Sequence, residues 1–457
     1  MGATKDLATY IATLNFADLP AEVTDRAKSA ILDTVGLIIG GSELKSYTDP
    51  FVDVALATGG EGNAPIIGRG VSTTAPMAAF ANAASATALD YADHMSSVRG
   101  ICFGWPGSMA IPAALAILGR EASGEELITA VVAGYETLGR LLYSQDMTDE
   151  VEDWVKGETV SVFAATATAG RALGLTPDQM LSAFNMAGAY TPVSGGYKWL
   201  MDVGLRPRRD IKQGWAWMAH TGVFAAVSAK HGLQALQENS ALDGERGLWR
   251  QLGMDIYTPE ALTENLGSYF HILRTATKVW PGCYISHMGI VGAREAFAES
   301  GATIDDIESI EVVTNKRSGV EEDDQNPKTA QDMQFSAPYQ VAAALTGAPR
   351  GVAWYESARP AALALAERTT LSFDEECDVF WRTQHRQMSK VRLRLKNGKV
   401  IDKRIEDQLP IQTKEDMVEK FVEGVAQIHS EEATEKILRT IETLEGRRVG
   451  ELLDLLR

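Results

Sequence analysis

Three short stretches concentrate the side chains able to move protons or hold anions. Asp90, Asp93 and His94 stand at i, i+3 and i+4 near the end of the alanine-rich run APMAAFANAASATALDY, residues 75–91. On a continuous helix that spacing puts two carboxylates and an imidazole on one face. Ser96, Ser97 and Arg99 follow, so the segment is a polar cluster at the mouth of an apolar scaffold, suited to acid–base work. The same residues also read as a solvated helix terminus. Arg206, Arg208, Arg209 and Lys212 gather four cations within seven positions. Facing a cleft they would hold the carboxylates of a small anion; facing solvent they are a charged loop. KVWPGCYISH, residues 278–287, brings together Lys278, Trp280, Pro281, Cys283, Tyr284 and His287. A lysine desolvated among rings has a lowered pKa and can serve as base or acid. His287 reads equally as a cap on the first turn of the next helix, and Cys283 as core.

The elements that must position these groups are mostly helices up to about residue 260. Apolar periodicity predicts a helix over Val23–Ile39 stopped by Gly40–Gly41, then helices over Ala75–Tyr91, Ile111–Leu118, Glu125–Tyr143, Val162–Leu173 and Gly214–Ala229. Thr176-Pro177-Asp178 opens another in the cap-then-proline manner. Many faces carry alanine, which lets helices approach closely. Beyond residue 265 the pattern changes. Ile307–Val313 alternates as a strand, and Asn397–Gly398 closes a hairpin between Val391–Leu395 and Lys399–Ile405. Helical patterns lie at Ser286–Ala298, Tyr339–Leu345 and Pro360–Arg368, and the tail returns to helix over Glu415–Ile428 and Glu431–Leu456. The expected fold is mainly α: an all-helical domain over residues 1–264, a smaller α+β lid domain over 265–408, and helices of 409–457 returning to the first.

Composition narrows the function. With 43 Lys+Arg against 61 Asp+Glu, a net charge of −18, the 457-residue chain is a poor nucleic-acid binder. The apolar run Met109–Leu118 is half the ~20 residues of a membrane span and contains Pro112. MGATKDLATY lacks the layout of a signal peptide, so the expected location is cytoplasmic. Cys102, Cys283 and Cys377 are odd in number and far apart, with no C-x-x-C or H-x-x-x-H spacing, so no metal site is expected. Gly59–Gly60–Glu61–Gly62 lacks the spacing of a phosphate cradle and reads as a turn between helices. No G-x-S-x-G elbow supports serine-hydrolase chemistry.

Six blocks then occur in a telling order: ALDYADH (88–94), IPAALA from Ile111, GYETLGRLL (134–142), RDIKQGWAWMAHTGVFAA (209–226), KVWPGCYISH (278–287) and QFSAPYQVAAAL (334–345). In this the chain resembles the MmgE/PrpD family, which includes 2-methylcitrate dehydratase, cis-aconitate decarboxylase and iminodisuccinate epimerase. The resemblance implies a homodimer, an active site between the helical and lid domains, and cofactor-free chemistry on di- and tricarboxylates. It places Asp90 and Asp93 at the ends of the family's D-F-D-D motif, Lys278 at its K-x-x-P lysine, and Lys212 or Arg209 at its other active-site cation.

The departures bear on the reaction. The family histidine after the acidic motif is Trp105 here, its F-H-P-T segment is 154–159 without histidine, and the histidine of the decarboxylase K-x-x-P block is Cys283. His94 and Lys156 are the available substitutes. The expected activity is a lyase of dehydratase type, removing a proton next to a carboxylate of a small polycarboxylate. Cations stabilise the charge that spreads onto that carboxylate. Asp90, His94, Lys278 and His287 would carry the chemistry, and Asp93, Trp105, Lys156, Arg209, Lys212, Cys283 and Tyr284 would line the substrate. The alternatives are an epimerase or isomerase of an aspartate- or succinate-derived diacid, and a relative that binds without turnover.

Overall fold

The computed structural model describes residues 2–98, 103–148, 157–191, 207, 213–235, 240–316, 319, 322–384, 386–407 and 413–456. The chain is mainly helical. Its first half contains helices α1 (Ala3–Thr13), α2 (Ala21–Ser42), α3 (Lys45–Gly59), α4 (Ala75–Thr87), α5 (Pro106–Ile117), α6 (Gly124–Ser144), α7 (Val162–Ala172), α8 (Pro177–Tyr190) and α9 (Gln213–Lys230). α7 packs against α5, α6, α8 and α9. The closeness of these helices follows from their small residues: a Cβ on Gly222 of α9 would lie 2.6 Å from Ala165 Cβ. Among the described residues no helix is long and apolar enough to cross a membrane.

Local signals place several boundaries as expected. Thr176 caps α8, its hydroxyl accepting from Gln179 N while Pro177 occupies the first turn. Other boundaries differ for tertiary reasons. α2 does not stop at Gly40–Gly41 but runs to Ser42, because these glycines serve contact rather than termination. A Cβ on Gly41 would lie 2.0 Å from the Ser85 carbonyl oxygen of α4. The turn at Gly60–Gly62 leads into a short hairpin, β1 (Ala64–Ile66) with β2 (Val71–Thr73), before α4 begins. α4 ends at Thr87 rather than Tyr91. Asp90, Asp93 and His94 therefore do not share a helical face: Asp90 has φ +48°, and His94 lies in a β-bridge to Ala276.

The second half contains α10 (His287–Ser300), α11 (Ala337–Leu345), α12 (Arg359–Ala366) and a four-stranded mixed sheet. Its strands are β3 (Ile307–Thr314), β4 (Thr369–Phe373), β5 (Gln387–Leu395) and β6 (Val400–Asp407), in the order β6-β5-β3-β4. β3 is parallel to β4 and antiparallel to β5, and the Asn397–Gly398 hairpin joins β5 to β6. A register shift between Ile307 and Ser309 lets Ile307 and Ile310, three apart, both point inward. The tail forms α13 (Lys414–Val425), α14 (Glu431–Glu442) and α15 (Val449–Leu455). The single helix expected over 431–456 is broken because the chain turns aside to pair with 122–124: Gly124 N donates to Arg447 O at 2.8 Å, and Val449 N to Ala122 O at 2.8 Å.

Two apolar clusters result. One joins α1, α2 and α4–α9 to Phe421, Val425, Ile437, Ile441, Leu444 and Leu452 of the tail. The other joins the sheet and α10–α12 to Phe51, Phe80, Leu89 and Tyr91 from the first half. The segment 88–94 thus lies where the two halves meet.

Candidate active site

Residues 88–94 and 275–283 are laced together along their length. His94 and Ala276 exchange both backbone hydrogen bonds, at 2.9 and 3.0 Å, Gly282 N donates to Asp90 O at 3.0 Å, and Tyr91 Oη donates to Val279 O at 2.8 Å. Lys278 Nζ sits at the centre. It donates to Asp90 Oδ1 at 2.8 Å, Asp90 O at 3.0 Å and Gly282 O at 2.9 Å, so its three protons match three acceptors. Both residues are 4% exposed. A buried ion pair is sustained only when further hydrogen bonds complete it, and here two carbonyls do so. Asp90 occupies the left-handed backbone region, at a cost of about 1 kcal/mol or more, held by these contacts.

The neighbouring groups divide into an outer and an inner set. His94, Cys283 and Tyr284 are half-buried, as is Phe103. The His94 ring packs 5.4 Å from Tyr284 and 6.1 Å from Phe103. Burial, reinforced by the nearby Lys278 charge, depresses the His94 imidazole to about 3 and holds it neutral. His287 is fully buried, its ring 5.5 Å from Trp280, and burial pushes its pKa well below the usual value. It does not cap α10: neither ring nitrogen has a hydrogen-bond partner among the described residues. Burial raises the Cys283 thiol well above its ordinary value, reinforced by Glu322 and Asp90, and raises the Tyr284 phenol to about 12. Cys283 is therefore a thiol and not a thiolate.

Unpaired buried polar atoms collect around this centre: His94 Nδ1, both nitrogens of His287, and the side-chain oxygens of Gln334 and Gln340. Gln334 O accepts from Cys283 N at 2.7 Å, and Gln340 lies against Gly282, where a Cβ would come 2.5 Å from its amide carbon. Such atoms are uncommon in folded proteins and mark places where a polar ligand can bind.

Asp93 departs from the expected cluster. Its carboxylate turns inward to accept from Gly107 N at 3.1 Å and Tyr135 Oη at 2.6 Å, and it is pushed up to about 6 by burial and by the charge of Asp33. Trp105 stands immediately before α5 without a capping side-chain hydrogen bond and packs against Trp215, ring centroids 4.2 Å apart. Lys156, Arg209 and Lys212, with Arg206 and Arg208, lie outside the described residues. Sequence reasoning passed over a second buried pair, Asp33 and Lys420, 2.8 Å apart and 2% and 3% exposed. Burial draws Asp33 upward and Lys420 downward, each opposed by its partner's charge. The legible signal was a lone aspartate inside the apolar run AILDTVGLII. Among the described residues no three His, Cys, Asp or Glu side chains gather to hold a metal ion. A cavity of about 650 Å³ lies apart from this centre, lined by Tyr47, Phe51, Phe80, Trp217, Tyr355 and Arg359 among others, and neither Asp90 nor Lys278 borders it.

The chain is thus mainly helical, with a small mixed sheet in its second half and a buried Asp–Lys pair between segments 88–94 and 275–283. The chain belongs to the MmgE/PrpD family: the MmgE/PrpD N-terminal domain matches residues 5–256, and the MmgE/PrpD C-terminal domain residues 280–446. The chain is similar to cis-aconitate decarboxylase of Aspergillus terreus, 25% identical over 299 residues, which is 63% of this chain and 58% of that protein. It is also similar to cis-aconitate decarboxylase-like protein oryM of Aspergillus oryzae, 24% identical over 291 residues, 60% of this chain and 58% of the relative. The matches thus span less than two thirds of the length of these relatives.

Proposed function

We propose that the protein is a lyase that removes a proton next to a carboxylate of a small di- or tricarboxylate, without a cofactor, between the helical body and the unit of residues 265–408 acting as its lid. The carrying observation is the group of unpaired buried polar atoms around the Asp90–Lys278 pair. A substrate entering past His94, Cys283 and Tyr284 would supply the missing acceptors and donors. The geometry bears on the roles of Lys278 and His94. Lys278 already gives its three protons to the protein, so it shapes the centre rather than carrying a carboxylate. His94, neutral and half-buried, is the base; a bound dianion beside the ring raises its pKa from about 3 toward the working range. His287 supplies a neutral donor behind it. Arg209 and Lys212 are assigned to the substrate carboxylates by the family resemblance alone.

Trp105 favours a second reading. An indole packed on Trp215 is no acid for a departing hydroxyl, whereas epimerisation at the α-carbon needs no leaving-group acid. The homodimer belongs to the same proposal, supported by the exposed rings Trp217, Phe224 and Tyr190, in contact with one another or with the half-buried His220.

A panel of citrates, aconitates, tartrates and aspartate-derived diacids tests this reading. A ligand at 100 times its Kd should add about 2.7 kcal/mol to stability. In D₂O the lyase gives an eliminated product, and the epimerase gives exchange at the α-carbon without elimination. A panel in which no acid raises Tm or exchanges a proton overturns both readings.

A further inference from the structure

Four successive backbone carbonyls beside the candidate site are each held by a side chain from the second half of the chain. Gln334 Nε2 donates to Ala88 O at 2.6 Å, Tyr355 Oη to Leu89 O at 2.8 Å, Lys278 Nζ to Asp90 O at 3.0 Å and Lys420 Nζ to Tyr91 O at 2.7 Å. These donors come from four separate segments, and all are buried. Carbonyls just past a helix end lack intrahelical partners, so the direction of the chain there depends on what captures them. Asp90 sits in the middle of the row with φ +48°, a conformation that persists only where surroundings over-determine it.

Lys420 reaches this row from α13. Its ammonium contacts Asp33 Oδ1 at 2.8 Å and lies 3.9 Å from the centre of the Tyr91 ring, which fixes it over the segment it holds. Lys278 and Lys420 thus grip adjacent residues, one from the candidate site and one from the tail. We propose that Lys420, Tyr355 and Gln334 are positioning residues: acting through the Ala88–Tyr91 backbone, they set the orientation of the Asp90 carboxylate against Lys278 at the centre of the candidate site. This rests on the proposed function only for its effect on turnover; the effect on the backbone is independent of it.

The test is hydrogen exchange in the full-length protein, comparing wild type with Tyr355→Phe, Lys420→Met and the double variant Asp33→Asn/Lys420→Met. The single lysine change leaves Asp33 a buried unpaired charge, so it lowers Tm for a reason unrelated to positioning. The double variant removes that charge and still leaves Tyr91 O without its donor. Expected is faster exchange at the amides of Asp90, His94 and Gly282, roughly 10- to 100-fold in the double variant, which loses a charge-assisted hydrogen bond, and roughly 2- to 10-fold in Tyr355→Phe, which loses a neutral one. Amides of α6 should keep wild-type rates. With a turned-over diacid, kcat should fall while KM changes little. Unchanged exchange at those three amides in both variants overturns the proposal, as does a double variant with wild-type kcat. A wild-type protein inert toward every diacid counts against the proposed function instead, and the exchange result still decides the clamp.

Discussion

Lys278 and Asp93 show how burial assigns roles that residue type leaves open. The Lys278 ammonium meets three acceptors, one of them the Asp90 carboxylate, in a place almost closed to water. Lys278→Met removes the charge that pairs the buried carboxylate and the donor to the Gly282 carbonyl, which costs about 3–5 kcal/mol. Urea denaturation should show this as a lower midpoint, with part of the loss recovered in Asp90→Asn/Lys278→Met; a single variant as stable as wild type contradicts the pairing. Asp93 behaves oppositely. Its folded pKa of about 6 exceeds the ordinary 3.8, so the folded state binds a proton more readily than the unfolded one. The resulting stability is fully present below pH ~4 and lost as the pH rises through ~6, about 3 kcal/mol in all. Asn at this position can accept from Gly107 N and donate to Tyr135 Oη. Stability of wild type minus Asp93→Asn should therefore fall between pH 4 and pH 7, and a difference independent of pH would show that Asp93 is not perturbed.

Elements are legible in the sequence wherever their determinants are local, as at the Thr176 helix cap and the Asn397–Gly398 hairpin. The failures were tertiary. Gly40–Gly41 resembles a stop signal, yet its meaning depends on Ser85, more than forty positions away and packed against it. The helix ending at Thr87 carries an apolar pattern that runs on through Leu89 and Tyr91, because those side chains enter the second apolar cluster without being helical. Asp90 and Lys278 were legible as chemistry because each sits in a dense motif. Lys420 was not, since one lysine in KEDMVEKFVEGV reads as part of a solvated face. The glycines offer a direct check at this scale. Gly41→Ala should push α2 from α4 and cost about 1–3 kcal/mol, since its Cβ would lie 2.0 Å from a carbonyl oxygen. Gly424→Ala, in α13 with nothing within 4 Å of the added Cβ, should stabilise by about 0.4–1 kcal/mol. Thermal melts of both variants decide the matter: equal and small effects would mean that the α2–α4 contact yields.

At the scale of the molecule, the first half is completed by the last. The tail contributes Phe421, Val425, Ile437, Ile441, Leu444 and Leu452 to the core of α1, α2 and α4–α9, none more than 2% exposed. At about 1.5–3 kcal/mol for each large apolar side chain buried, these six account for roughly 10 kcal/mol or more, comparable to the 5–15 kcal/mol by which a typical protein is stable. The tail also carries Lys420, whose removal leaves Asp33 charged and unpaired inside α2 and frees the Tyr91 carbonyl. The apolar loss and the electrostatic loss act on the same helix, so they do not compensate each other. A chain ending at residue 412 should therefore lose cooperative melting altogether, not merely melt a few degrees lower. Adding a peptide of residues 413–457 should restore a sharp transition by circular dichroism, and the same peptide with Lys420→Met should restore less of it. A sharp melt of the shortened chain alone would mean that the helical body closes its core without the tail, and that the grip of Lys420 on Tyr91 is incidental to folding.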